Sequence, residues 1–119
     1  MKIKIAKSEI VHFVGIGGIG MSGLAMIMSQ LGFKIQGSDQ FYNKNFEMLK
    51  KEKIKLYVGH SRKNLSKATI LIISSAIKNN NVEYKEAKKN KIPIYKRGEA
   101  LANIVSLMKN IVVAGSHGK

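Results

Sequence analysis

Cysteine is absent from the 119 residues, and its absence excludes disulfides, zinc–thiolate centres and any thiol nucleophile. This fits a reducing cytoplasm, where the chain is expected to work. Long apolar runs are missing too: nothing approaches the ~18 residues of a membrane span. The segment from Met1 to Lys7 is positively charged, but the apolar stretch after it is broken by Glu9 and His12 and runs into glycines, which argues against a secretory signal. Acidic residues are scarce, 7 against 21 basic ones, so the formal charge is +14 and nucleic acid must be considered as a partner. Arginine is nearly absent, however: Arg62 and Arg97 are the only two. The surplus is lysine, scattered from Lys2 to Lys109 with small clusters at Lys50–Lys51 and Lys88–Lys89. No aromatic residues alternate with it as a stacking platform requires. The expectation is a solvated lysine surface with no specific nucleic-acid binding, whose positive field helps recruit an anionic ligand. Internal repeats, low-complexity linkers, paired catalytic carboxylates, a catalytic triad and metal-ligand clusters are also missing. No residue of the chain is therefore a candidate catalyst or a candidate metal ligand.

Apolar runs alternating with helical stretches are present, and they predict an α/β fold: a Rossmann-like open parallel sheet with flanking helices. Strands are expected at Ile10–Val14, at Phe33–Gly37 running on to Ser38–Asp39, at Lys55–Val58, at Thr69–Ile73 and at Lys91–Tyr95. The fourth is apolar throughout, as a strand covered on both faces should be. Helices are expected over about Ile19–Leu31, Asn45–Lys53, Val82–Lys89 and Gly98–Met108. Gly32 should stop the first, and Asn80 or Asn81 should cap the third. A last apolar run, Asn110–Ala114, reads as one more strand.

Gly15-Ile16-Gly17-Gly18-Ile19-Gly20 fits G-x-G-x-x-G, with a strand before it, a helix after it and a strand beyond. The first glycine allows the tight turn, the second lets backbone approach phosphate, and the third permits close packing of helix on strand. Amides at the helix start then point at an anion, aided by the helix dipole. Asp39 follows 19 residues after Gly20, at the end of strand two, where a carboxylate can accept hydrogen bonds from a ribose or a base; an ordinary turn or helix-cap residue is the other reading. This pattern suits an NAD enzyme as well as any other nucleotide binder.

The chain ends on Gly115-Ser116-His117-Gly118-Lys119 after the last apolar run. That is a shortened phosphate loop, G-x-x-G-K, in which amides around Gly118 would cradle ATP phosphates and Lys119 would add charge. Two phosphate sites in tandem suggest an ATP-using enzyme with a separate nucleotide-linked substrate.

The stretch His12-Phe13-Val14-Gly15-Ile16-Gly17-Gly18-Ile19-Gly20-Met21-Ser22-Gly23-Leu24-Ala25 resembles the opening signature of the alanine-adding branch of the Mur ligase family. The resemblance continues through Gly37-Ser38-Asp39, Gly59-His60, Ser74-Ser75-Ala76-Ile77 and Arg97-Gly98-Glu99-Ala100-Leu101. It ends on Gly115 to Lys119, where the family more often has Thr at the position of Ser116. It implies a three-domain, ATP-dependent ligase of peptidoglycan synthesis that joins L-alanine to UDP-N-acetylmuramic acid through an acyl phosphate, with Mg2+ supporting phosphoryl transfer. Residues 1–109 would be its UDP-sugar-binding domain, and residues 110–119 the first strand and truncated phosphate loop of the central ATPase domain. The chain alone would be inactive. A ligase that attaches a recycled murein tripeptide to the same UDP-sugar shares the domain type and similar motifs. An NAD-dependent oxidoreductase domain is the alternative outside the family.

On that resemblance, Gly15, Gly17, Gly18 and Gly20, with the amides of Ile19, Gly20, Met21 and Ser22, would hold the UDP diphosphate, and Asp39 would contact the uridine. Ser74, Ser75 and Ala76, past strand four, lie at the edge where open α/β sheets bind ligands; they would line the uridine or sugar pocket or form a plain polar strand end. His60 reads as either a residue facing the ligand or a surface-turn histidine at the same edge, His12 as structural, and Arg97 as either an anion contact or a solvated helix-start residue. Gly115, Ser116, His117, Gly118 and Lys119 would bind ATP.

Overall fold

Five short parallel strands form one open sheet, and the computed structural model describes residues 4–117, with side chains as far as residue 110. The chain runs β1 (Ile10–Val14), α1 (Ile19–Gln30), β2 (Lys34–Asp39), α2 (Asn45–Lys51), β3 (Lys55–Val58), a 3-10 helix at Arg62–Leu65, β4 (Ile70–Ile73), α3 (Val82–Lys89), β5 (Ile94–Lys96) and α4 (Arg97–His117). The sheet order is β3-β2-β1-β4-β5, so the chain steps outward from β1 on one side, then crosses β1 to continue on the other. That reversal places a crevice beside the carboxyl end of β1, where open α/β sheets take ligands. Register aligns the edge: Val14 pairs with Ser38 and with Ile73, so Gly15, Asp39 and Ser74 follow side by side.

Alternation along the strands sorts the core onto two faces. Val11, Phe13, Ile70 and Ile72 pack with Met21, Leu24, Ala25 and Met28 of α1, Phe46 and Leu49 of α2, and Ala100 and Ile104 of α4. Val14, Leu71 and Ile73 face the other way, against Leu65, Ala68 and Ala87. Among the described residues no helix is long and apolar enough to cross a membrane.

Local chemistry sets the helix ends. α1 stops where Gly32 takes φ +98, with Phe33 N donating to Met28 O and Gly32 N to Ser29 O, the paired bonds of a glycine C-cap. α2 ends at Lys51 rather than the expected Lys53, because Lys53 itself adopts φ 60 and Ile54 N turns back to Leu49 O. Lys91 closes α3 in the same way, at φ 58. Of the two candidate caps for α3, Asn81 is the one used: its Oδ1 accepts from Glu83 N at 2.9 Å and Tyr84 N at 3.2 Å.

One expectation is overturned. Asn110–Ala114 is not a strand; α4 continues unbroken through it to His117. A strand needs a neighbouring edge for its N–H and C=O groups, and among the described residues no strand pairs with this segment. A helix satisfies those groups within the segment. The expected boundary between residues 109 and 110 thus falls inside α4. Gly115, Ser116 and His117 have helical backbone instead of a phosphate loop. Gly118 and Lys119 lie outside the described residues.

Gly37 is where the sheet admits the glycine loop. A Cβ there would lie 2.5 Å from Ile16 Cδ1, 2.7 Å from Ile16 Cβ and 2.8 Å from the Phe13 carbonyl oxygen. Ile16 is fully buried, so it cannot yield without lifting the loop. Gly37→Ala is expected to lower stability by about 1–3 kcal/mol, the usual range for overpacking. Gly23, in α1, makes the contrast, because a Cβ there would meet nothing within 4 Å. Gly23→Ala should raise stability by about 0.5–1 kcal/mol. Urea denaturation of both variants checks the pair.

Candidate functional site

The turn after β1 is built from its own amides. Gly15 N and Ile16 N both donate to the Ser38 carbonyl at 2.8 and 2.9 Å, and Gly18 N returns to Gly15 O at 3.1 Å. Gly17 N donates to Asp39 Oδ2 at 2.8 Å. The Gly17 carbonyl accepts from Asn45 Nδ2 at 2.8 Å and Asn43 Nδ2 at 3.3 Å. Ser22 N, the first amide with a helical partner, donates to Gly18 O. Among the described residues, the amides of Ile19, Gly20 and Met21 have no acceptor. α1 has Gly18 as N-cap with no side-chain cap and no acidic residue in its first turn. Three unpaired donors at the positive end of a helix dipole make an anion site.

This geometry divides the expected residues by task. Gly15, Gly17, Gly18 and Ser22 have their amides engaged in holding the turn, which leaves the donors to Ile19, Gly20 and Met21. The Met21 side chain is core, 1% exposed, whereas the Ile19 side chain is 93% exposed at the rim. Arg97 comes to the loop: a Cβ on Gly20 would meet its Cδ and Nε at 3.0 Å. A guanidinium therefore lies over the same helix start, and Gly20 makes room for it. Ser74 also reaches the loop, its Oγ 3.2 Å from where a Gly15 Cβ would sit. Ser75 and Ala76 are exposed beyond it. Asp39 braces the loop through Oδ2 and accepts Gln40 N through Oδ1 at 2.8 Å. Each oxygen keeps a lone pair for a ligand hydroxyl.

Asn43 and Asn45 were not expected at the site. Asparagines ahead of a helix read as caps, and Asn45 N does bond Asn43 Oδ1 at 2.9 Å. Only the tertiary structure shows both amides returning to Gly17.

A second cluster lies under the opposite face of the sheet, among His12, Gln36, Ser38, His60, Asn64 and Glu83. The Glu83 side chain has no solvent exposure. Its Oε1 accepts from Ser38 Oγ at 2.6 Å and His12 Nε2 at 2.7 Å. Its Oε2 accepts from Asn64 Nδ2 at 2.7 Å and Ser61 N at 3.0 Å. Burial pushes the carboxyl pKa up, but hydrogen bonds from His12, Ser38 and Asn64 and the attraction of His12 outweigh it and lower it to about 2. His12 is structural, as expected. The signal for Glu83 was Gln36 and Ser38 alternating with His12 on adjoining strands: a polar stripe on a buried face requires a buried polar partner.

An open, doubly wound parallel α/β domain with a glycine loop at its switch point is the Rossmann-like class. Residues 10–109 match the family model described as "Mur ligase family, catalytic domain", and the chain belongs to that family. It is 70% identical over 119 residues to the UDP-N-acetylmuramate–L-alanine ligase of Pelagibacter ubique, covering all of this chain and 26% of that protein. It is 50% identical over 108 residues to the enzyme of that name from Aquifex aeolicus, 91% of this chain and 24% of the relative. The chain thus spans about a quarter of the length of these relatives. The crystal structure of UDP-N-acetylmuramate-alanine ligase from Thermotoga maritima superposes with TM-score 0.78 at 31% identity, over 82% of this chain and 23% of that one. UDP-N-acetylmuramate:L-alanyl-gamma-D-glutamyl-meso-diaminopimelate ligase from Neisseria meningitides superposes with TM-score 0.69 at 27% identity, over 75% and 28%.

Glu83 makes stability depend on pH. Its folded pKa lies below the unfolded value of 4.5, so its contribution is complete above pH 4.5 and is lost as pH falls toward 2. The shift corresponds to roughly 3 kcal/mol. Between pH 5 and pH 3 the unfolding free energy of the unaltered chain should fall more steeply than that of Glu83→Gln, which removes this titration. Urea titrations at both pH values check it; parallel pH dependence in the two proteins would contradict the assignment.

Proposed function

We propose that this chain is the UDP-sugar-binding part of an ATP-dependent ligase that adds L-alanine to UDP-N-acetylmuramic acid in peptidoglycan synthesis. The observation that carries the reading is the uncapped start of α1: three unpaired amides beside Arg97, on the loop that shows the family signature. The diphosphate sits there, against Gly15, Gly17, Gly18 and Gly20, with Ile19, Gly20 and Met21 as donors. Asp39 takes a uridine hydroxyl or base donor, and Ser74, Ser75 and Ala76 border the nucleoside or sugar.

The alanine-adding reading is favoured over the tripeptide-adding one by the curated relatives, which at 70% and 50% identity carry the alanine ligase name. The T. maritima structure is also more alike than the N. meningitides one in both identity and TM-score. Activity, L-alanine, ATP and Mg2+ belong to this proposal for the whole enzyme. Gly115, Ser116 and His117 are helical here, and their part in holding ATP, with Gly118 and Lys119, belongs to the same proposal for the whole enzyme.

Calorimetry tests the reading: UDP or UDP-N-acetylmuramic acid should bind the chain more tightly than NAD. NAD binding as tight as UDP would overturn it. Gly17→Val should abolish UDP binding, since even a Cβ at Gly17 would collide with Asn43 Nδ2 and lie 2.8 Å from Asp39 Oδ2, displacing the braces of the loop.

A further inference from the structure

The hydrogens of the buried cluster can be allocated one by one. Gln36 Nε2 donates to Asn64 O at 2.8 Å, so its second hydrogen faces His12 Nδ1, also at 2.8 Å. His12 Nδ1 is thus the acceptor, and Nε2 carries the hydrogen given to Glu83. Asn64 Nδ2 spends its two hydrogens on Glu83 Oε2 and on Gly59 O at 3.1 Å. The single hydroxyl hydrogen of Ser38 goes to Glu83 Oε1 at 2.6 Å, because an ionised carboxylate only accepts. Ser38 Oγ is left as an acceptor toward His60 Nδ1, 3.0 Å away. The other oxygen of Glu83 lies 3.6 Å from the same Nδ1. Nδ1 of His60 must therefore carry a hydrogen.

Among the described residues, His60 Nε2 has no hydrogen-bond partner, yet none of their buried side-chain nitrogens or oxygens lacks one. Nε2 therefore reaches solvent. His60 stands just past the carboxyl end of β3, next to the end of β2, where Gly59 N donates to Asp39 O at 2.7 Å. This is the edge that carries the glycine loop and Asp39.

We propose that Glu83 is a positioning residue: through Ser38 it holds His60 as the Nδ1–H tautomer, so that Nε2 presents a lone pair at the ligand edge to a donor group of the bound nucleotide. The inference rests on the nucleotide reading above. Its ligand class is a nucleoside bearing an N–H or O–H donor. The imide N–H of uracil and the ribose hydroxyls are such groups. A free histidine side chain favours the opposite tautomer, with hydrogen on Nε2, which competes with a donating ligand instead of accepting from it. Ser38 ties this choice to the loop, since its carbonyl holds Gly15 and Ile16 while its hydroxyl holds His60.

Nitrogen NMR of the 119-residue chain at about pH 8, above the ordinary imidazole range, reads the tautomer directly. Without ligand, His60 Nδ1 should resonate as a protonated nitrogen and Nε2 as an unprotonated one. Glu83→Gln should move His60 toward the Nε2–H form. If that variant fails to fold, the spectrum of the unaltered chain still decides: hydrogen on Nε2 overturns the proposal. Addition of UDP should shift the Nε2 resonance, and His60→Ala should weaken UDP binding about tenfold, the loss of one hydrogen bond to ligand. If UDP binds with no change at Nε2, the acceptor role is refuted. If UDP does not bind at all, the nucleotide reading fails, and the acceptor role, which rests on it, falls with it, even if the ligand-free spectrum shows the Nδ1–H form.

Discussion

The Glu83 carboxylate lies beneath α3 with no solvent contact and takes four hydrogen bonds: from β1 (His12), β2 (Ser38), the turn after β3 (Ser61) and the 3-10 helix (Asn64). Charge buried this deeply is tolerated only when its lone pairs are filled. The four donors come from separate segments, and meeting at one carboxylate fixes where those segments end relative to each other. The sheet reverses its strand order between β1 and β4, and Asn81 caps α3, the helix after β4 that carries Glu83. One side chain of α3 thus sets the geometry of the sheet's carboxyl edge.

From Ser38 the constraint passes to the glycine loop. Its hydroxyl belongs to the buried cluster and its carbonyl to the loop, whose first two amides it accepts. On the opposite face Gly37 lets Ile16 seat against β2, and Asp39 closes the turn on Gly17. The consecutive residues Gly37, Ser38 and Asp39 therefore hold the loop from three directions. With the loop braced, the start of α1 keeps three unpaired amides, and Arg97, at the start of α4, lies beside Gly20. Preorganised donors of this kind bind an anion without having to be ordered first.

Much of this was legible in the sequence, and for definable reasons. Periodicity located all five strands, and β1 and β3 within their observed bounds, because a buried parallel strand leaves an apolar run with turn residues after it. The G-x-G-x-x-G spacing located the loop, because the turn tolerates few other residues. The buried cluster was not legible as a cluster: His12, Ser38, Asn64 and Glu83 are far apart in the chain, and a glutamate in a first helical turn reads as an ordinary partner of the dipole. Nor could spacing show that Asn43 and Asn45 bond back to Gly17, or that Arg97 reaches Gly20. The segment Asn110–Ala114 misled because its apolar, β-branched composition suits a strand, while strand formation depends on an edge to pair with. Among the described residues it finds none and is helical.

The most direct test of the account is a crystal structure of the chain with UDP bound. The account predicts a phosphate oxygen within about 3 Å of the amides of Ile19, Gly20 and Met21, the Arg97 guanidinium on the same phosphate, and the Gly17–Asp39 and Ser38–Glu83 hydrogen bonds unbroken. A diphosphate seated away from the start of α1, or a loop that must release Asp39 or Ser38 to receive it, would contradict it.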